Sequence, residues 1–322
     1  MHQVRQSIPF HYLITMRQLK YVGVVLAVLL AGCKANVVPA PTAPDLELTL
    51  TPGVMLKLMR VPAGEFLMGS TDKDVDAGRE EKPQHSVTLS DYFIGQFDVT
   101  NAQFALFVKA TGYKTTAEQL GSGYAYIDGT RVDTPGADWR HPKGPSSDLG
   151  GKDNHPVVMV SWDDAVAFCA WASQVTGRKV TLPTEAQWEK AARGTATSSE
   201  STTRIYPWGN EAPNPTLLNY DLMVKDTTAV GRYSPVGDSP YGLADMAGNV
   251  WQWTSDWYDE TYYVSSVARD PQGATAGLYR VLRGGSWGSF ALLVRAAVRG
   301  GGAPTDRLDI YGFRVAVAAT SP

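Results

Sequence analysis

The stretch that decides the reading is Arg280-Val281-Leu282-Arg283-Gly284-Gly285-Ser286-Trp287, answered further on by Gly312-Phe313-Arg314. Both ends look like framework, with Gly-Gly for tight backbone, an aromatic to pack and arginines to clamp. The interval between them does not. Phe290, Leu292, Leu293, Val298, Leu308, Ile310 and Tyr311 fall on no period of 2 or 3.6. Gly300-Gly301-Gly302 interrupts the run, and Arg295, Arg299 and Arg307 punctuate it. A fixed frame around an arbitrary insert reads as a binding surface. An irregular core segment of a loop-rich domain fits the same pattern.

Composition sets the outer bounds. The chain has 322 residues, 43% hydrophobic and 19% charged, which suits one large or two small globular domains with a sizeable core. A net charge of −3 argues against nucleic acid as a partner, because nucleic acid calls for a basic face. The only cysteines are Cys33 and Cys169, so neither a disulfide framework nor a multi-thiolate metal centre can be built.

The N-terminus reads as a targeting segment. Arg17 and Lys20 precede the apolar run Tyr21 to Leu30, which is too short to span a bilayer. The run ends Leu30-Ala31-Gly32-Cys33, matching the lipobox of bacterial lipoproteins. Residues 1–32 are then a signal peptide, started from Met1 or Met16, and acylation of Cys33 would anchor the chain. Lys34, where an aspartate would favour inner-membrane retention, points to the outer membrane and the cell surface. Pro39, Pro41 and Pro44 make 33–50 an extended tether. The folded domain is expected over 51–322.

Within it the spacing predicts two strands between Met55 and Ser70, and another from Val87 to Val99. Three helices are predicted. The first is capped by Thr100 and stopped at Gly112; the second, capped by Ser161 with Asp163 and Asp164 in its first turn, ends at Gly177; the third is opened by the Thr184–Gln187 capping box and closed by Gly194. Tyr113 to Asn154 reads as a long surface excursion, and Asn210 to Asp270 as loop around the aromatics Trp251, Trp253, Trp257 and Tyr258. Few helices, short strands and long loops give an α+β domain.

Local signals for chemistry are sparse. His85, His141 and His155 are unpaired at helical spacing, and neither a G-x-S-x-G elbow nor a P-loop is present. Cys169 lies beside Phe168 on the apolar face of a predicted helix and reads as a buried structural thiol. The oxygen-rich loop Asp245 to Gln252 is compatible with calcium, or with a turn that hydrogen-bonds itself.

Taken together, the chain resembles the formylglycine-generating enzyme, or sulfatase-modifying-factor, family. The matching segments are Pro62 to Ser70, Asp98 to Asn101, His155-Pro156-Val157, Val160 to Ala165, Leu182 to Glu189, Tyr206-Pro207-Trp208-Gly209, Gly242 to Trp253, Arg283 to Trp287 and Gly312-Phe313-Arg314. They run in family order over nearly all of 55–316. The resemblance implies a C-type-lectin-like fold with a small twisted sheet, two helices and long loops forming the site. It also implies a calcium site on Asp245, Gly248, Val250 and Gln252, the glycine and valine through their carbonyls, although the family usually has a carboxylate where Gln252 stands.

One departure outweighs these matches. The family's enzymes carry two copper(I)-binding cysteines between the Gly-Gly-Ser motif and the next arginine, whereas Gly288 to Val294 contains neither Cys nor His. The sequence reading is therefore of a chain that is not an enzyme and requires no cofactor. The fold without its thiols resembles a second group, the variable proteins of diversity-generating retroelements. Those proteins diversify a C-terminal region at adenines of asparagine codons, and the products never encode Lys, Glu, Gln, Met or Trp. Gly288 to Tyr311 contains none of the five. This places a variable region at about 280–314. It makes Gly288, Ser289, Phe290, Leu292, Leu293, Val298, Gly300, Gly301, Gly302, Leu308, Asp309, Ile310 and Tyr311 the ligand-binding positions, converging on one exposed patch. The expected partner is a protein or other macromolecule outside the cell. A family enzyme or accessory factor with a non-cysteine site, and a structural envelope lipoprotein, are the alternatives.

Overall fold

The computed structural model describes residues 42–127, 129–195 and 204–319. The expected signal segment 1–32 and Cys33 lie outside the described residues. Among those described, no helix is long and apolar enough to cross a membrane.

Two sheets carry the fold. The first is antiparallel, in the order Leu46–Thr51, Val54–Val61, Tyr92–Gly95, Ala316–Ala318, Val180–Thr181. The second has the order Arg299–Gly302, Arg280–Arg283, Trp251–Trp257, Tyr311–Phe313, with only its last pair parallel. Hairpins Gly64–Met68/His85–Leu89 and Ser122–Ile127/Thr130–Pro135 flank them. Short strands and few helices give the α+β class expected.

The capping residues define the helices as the sequence predicts. In α1 (Asn101–Thr111) the Thr100 hydroxyl accepts the Gln103 N–H, and the Gln103 carboxamide oxygen accepts the Thr100 N–H. After the short α2 (Thr116–Leu120), Ser161 and Asp164 do the same for α3 (Trp162–Thr176), and Thr184 and Gln187 for α4 (Glu185–Arg193). Phe104 and Phe107 of α1 meet Phe168 of α3, and Phe168 in turn meets Phe313 of the second sheet. A second cluster packs Trp188, Ala191 and Ala192 of α4 on Met59, Tyr92 and Ile94 of the first sheet.

The structure departs from the sequence reading in four places. Leu46 to Leu50, assigned to the tether, forms a paired strand, because Leu48 and Leu50 bury against the core. The single strand expected from Val87 to Val99 is two, broken at Ser90-Asp91. The excursion 113–154 contains α2 and a hairpin whose Ala125 packs with Ala137 and Met159. The loop 210–270 contains the strand Trp251–Trp257 and the one-turn α5 (Tyr262–Ser265).

Candidate functional site: an apolar turn on a clamped frame

After the strand Arg280–Arg283 the chain turns at Gly284 and Gly285, both in the left-handed region at φ +97° and +75°. A Cβ on Gly285 would lie 2.8 Å from the Leu293 carbonyl oxygen, so glycine is what allows the following turn to close back. Ser286 N–H donates to the Ser289 hydroxyl at 3.0 Å, and Leu293 N–H to the Phe290 carbonyl at 2.9 Å. Ala291–Val294 is then one turn of 3-10 helix. Val294 packs inward with Leu217, Leu218 and Ala247. Phe290, Leu292 and Leu293 point the other way, 60%, 54% and 42% exposed. Three large apolar side chains side by side in solvent are unusual unless something covers them.

Arginines hold this turn from behind. Arg295 grips Glu81 through two bonds of 2.8 Å and donates from Nε to the Leu292 carbonyl at 3.1 Å. Burial alone would raise the Glu81 carboxyl, but Arg295, the Gly78 N–H and the Ser70 hydroxyl hold it below its usual range. Arg299 grips Glu185 at 2.6 and 2.8 Å. Arg283 bonds Glu189 and the Val298 carbonyl and lies 3.5 Å from Glu185. Burial would raise Glu185 too; Arg299 and Arg283 outweigh it and hold it low. Forked, doubly bonded guanidinium–carboxylate pairs fix geometry as well as charge. The frame expected of these arginines is therefore a set of ion pairs, Arg283 and Arg299 to Glu185 and Glu189 of α4 and Arg295 to Glu81 of the turn Arg79–Glu81.

The thirteen positions expected to converge on one exposed patch do not do so. Leu308 and Ile310 are buried with Trp287, because that indole needs a cover on its inner side. Asp309 is buried, its carboxylate accepting the Tyr126 N–H at 2.8 Å, and burial pushes its carboxyl up to about 7. Ser289 and Val298 are buried, Ser289 bonded to Ser286. Gly288 is buried against the Tyr126 ring. Gly300, Gly301 and Gly302 form a strand paired with Arg280–Leu282 and lie against Trp251, Tyr258 and Trp253. Tyr311 is half-buried, its ring 5.3 Å from Trp253. Only Phe290, Leu292 and Leu293 form an exposed apolar group.

Sequence reasoning missed the other wall. Asp221 N–H donates to the Ser289 carbonyl and Leu222 N–H to that of Trp287, at 2.9 and 2.8 Å. The next two residues, Met223 and Val224, are both exposed. Tyr126 packs edge-on to Trp287 at 5.8 Å, and the Lys143 ammonium sits 5.7 Å over its ring. These residues lie in stretches without periodicity, and only pairing distant in sequence brings them to the turn.

The metal expectations fare differently from the turn. The Gln252 carboxamide oxygen already accepts both the Trp188 indole N–H and the Arg314 Nε–H, and its nitrogen donates to the Asp245 carbonyl at 2.7 Å. The Asp245 carboxylate accepts the Gly231 N–H at 2.7 Å. A calcium ion on Asp245, Gly248, Val250 and Gln252 would meet a guanidinium on its proposed ligand, so the set does not fit it. Nor does Gly288–Val294 fit copper(I), since its only polar side chain is the Ser289 hydroxyl. Cys169 is buried among Phe104, Phe107 and Phe168, and burial raises its thiol. Among the described residues no group of three or more His, Cys, Asp or Glu side chains could hold a metal ion.

Comparison with known proteins places this geometry. Residues 52–319 match the sulfatase-modifying factor enzyme 1-like domain. A formylglycine-generating enzyme of Streptomyces coelicolor is 39% identical, covering 80% of this chain and 88% of its own. The inactive C-alpha-formylglycine-generating enzyme 2 of Mus musculus is 37% identical, over 82% and 87%. Among solved structures, PvdO from Pseudomonas aeruginosa aligns with TM-score 0.69 and 26% identity, over 86% of this chain and 99% of its own. Treponema denticola variable protein 1 aligns with TM-score 0.61 and 24% identity, over 86% and 100%, and shares the C-type-lectin-like fold. The expectation of a chain that is not an enzyme is corrected by these relatives, since several proteins at this level of identity are named formylglycine-generating enzymes. With the family model covering 52–319 and relatives of this identity along most of its length, the chain belongs to the sulfatase-modifying factor enzyme 1-like family.

Proposed function

We propose that this chain is a lipid-anchored member of the family, displayed at the bacterial cell surface through Cys33, which binds a macromolecular ligand on its apolar turn. The observation that carries this is the exposure of Phe290, Leu292 and Leu293 on a turn whose backbone the Arg295–Glu81 pair locks. A rigid apolar surface binds without first having to be ordered. Retroelement diversification of the segment, which the absence of Lys, Glu, Gln, Met and Trp from Gly288 to Tyr311 supports, would act mainly on this turn. The test is the triple variant Phe290→Ser, Leu292→Ser, Leu293→Ser, immobilised beside wild type and challenged with extracellular proteins. The reading requires a partner held by wild type and lost by a variant that still unfolds cooperatively. Equal retention by both defeats it. At the locus, a reverse transcriptase gene and a near-copy of the codons for 280–314 differing only at adenines would support the diversification.

The relatives named formylglycine-generating enzymes favour a second reading, in which the chain performs chemistry at this face with side chains other than a thiol pair. Incubation with a sulfatase-motif cysteine peptide, with and without copper, followed by mass spectrometry of the peptide, tests it. Unchanged peptide under both conditions counts against it.

A further inference from the structure

Beside the turn, the backbone of residues 221–226 is held in conformations that L side chains rarely adopt. Asp221, Leu222 and Lys225 all lie in the left-handed region, at φ +52°, +57° and +59°. Such conformations persist where the surroundings impose them, and they gather at places that clamp a ligand. Here the bonds that impose them are evident. Asp221 and Leu222 donate to the carbonyls of Ser289 and Trp287. The Asn219 side-chain nitrogen donates to the Asp226 carbonyl at 2.8 Å, and the Lys143 ammonium to that of Lys225 at 3.0 Å. Leu222 packs inward on Trp287, Leu308 and Ile310. Met223 and Val224 are 54% and 46% exposed.

Strain that sets two apolar side chains in solvent gains nothing for the core. The pairings to Ser289 and Trp287 lay this segment alongside the turn, so the apolar surface of Phe290, Leu292 and Leu293 acquires a second strip. Charge distinguishes the two ends of that strip. Asp221 stands at the end joined to Ser289. At the other end Lys143 and Lys152 share one carboxylate, that of Asp226, at 3.3 and 2.8 Å, and Lys225 is exposed next to it. Burial would raise the Asp226 carboxyl, but Lys152, Lys143 and the Thr227 N–H hold it below its usual range. Three ammoniums around one carboxylate leave positive charge in excess there.

A nucleic acid or an anionic membrane is disfavoured, because Asp221 and Asp226 lie within the surface and the chain carries a net charge of −3. A carboxylate at the end of a short apolar stretch matches both features. Resting on the reading of the turn as a binding surface, we propose that its ligand is an acidic protein segment, which seats apolar side chains on Phe290, Leu292, Leu293, Met223 and Val224 and sets a carboxylate beside Lys143 and Lys225.

The probes are two synthetic peptides with the same run of leucine and phenylalanine, one flanked by glutamates and the other by lysines. Isothermal titration calorimetry of the purified protein at low salt should give at least about tenfold tighter binding of the glutamate peptide. Lys143→Gln should shrink that preference several-fold, and the pair Met223→Ser, Val224→Ser should weaken both peptides. Equal affinity for the two peptides in wild type overturns the proposal, as do a glutamate peptide unbound at millimolar concentration, wild-type affinity in the Met223, Val224 pair, or tighter binding to phosphatidylglycerol vesicles than to peptide. If the two peptides bind equally and Phe290→Ser, Leu292→Ser, Leu293→Ser loses both, the turn is still a binding surface and only the acidic ligand is wrong. If that triple variant retains both, the turn itself is not the surface.

Discussion

Arg314 and Gln252 are joined at 2.7 Å through the same Gln252 oxygen that accepts the Trp188 indole N–H. This places a buried cation where family resemblance implies calcium. The Gln252 nitrogen closes the arrangement on the Asp245 carbonyl. Wild type should therefore show no shift in melting temperature between calcium and chelator. Gln252→Glu loses the donor to Asp245 and sets a carboxylate oxygen against that carbonyl. The variant should be destabilised to the same extent with calcium and with chelator, because Arg314 still occupies the position, and differential scanning calorimetry would register the loss. A calcium-dependent midpoint in wild type would contradict the arrangement.

The ion pairs behind the turn are structural. Glu185 faces both Arg299 and Arg283 and is almost fully buried. Removing one partner of a buried pair strands the other, and Glu185→Gln is expected to cost roughly 3–5 kcal/mol. Urea unfolding would read this as a lower midpoint at an unchanged slope. A loss under about 1 kcal/mol would mean the network is replaceable.

The two kinds of apolar residue in the C-terminal segment should separate cleanly. Ile310→Ala opens a cavity beside Trp287 and should cost about 2–5 kcal/mol. Phe290→Ser and Leu293→Ser on the exposed turn should each stay within about 0.5 kcal/mol of wild type. Thermal unfolding of the three variants side by side decides it. If the turn variants unfold as readily as Ile310→Ala, the turn is core and not surface.

Asp98 is buried with neither carboxylate oxygen hydrogen-bonded, and Arg314 is 3.7 Å away. Burial, aided by Asp245 and only partly offset by Arg314, pushes its carboxyl up to about 8. A raised folded-state value means the folded chain holds the proton longer than the unfolded one. Its stabilising contribution is thus complete below about pH 4 and lost as pH rises towards 8. Asp98→Asn removes that dependence, so its stability should fall less than wild type's between pH 5 and 8. Chemical denaturation at a series of pH values measures the difference in slope, and parallel curves would refute the assignment.

The anchor proposed for this chain is the Cys33 thiol. Cys33→Ala should release the chain from the membrane fraction and abolish incorporation of labelled fatty acid. Continued membrane partition of the variant would remove the anchor.

Much of the fold was legible locally. Helix caps are short-range contracts between residues three apart, so Thr100, Ser161 and Thr184 announce α1, α3 and α4 directly. The Tyr206–Gly209 turn closes with both its backbone bonds. What stayed hidden depends on partners far away in sequence. Leu308 and Ile310 look like surface candidates until Trp287 is seen above them, and Gly300 to Gly302 look like loop until Arg280–Leu282 pairs with them. Gln252 reads as a weakened calcium ligand because neither Trp188 nor Arg314 is near it in sequence. Compositional bias marked the segment 288–311 but not which of its side chains reach solvent.

The strand Ala316–Ala318 lies between Tyr92–Gly95 and Val180–Thr181 in the first sheet, and Gly95 N–H donates to the Val315 carbonyl. The second sheet likewise ends on Tyr311–Phe313. The first sheet cannot close until residues 316–318 have been made, because they pair on both sides. A chain cut before residue 316 would lack the piece that joins Tyr92–Gly95 to Val180–Thr181, so the two halves of that sheet would be left with open edges.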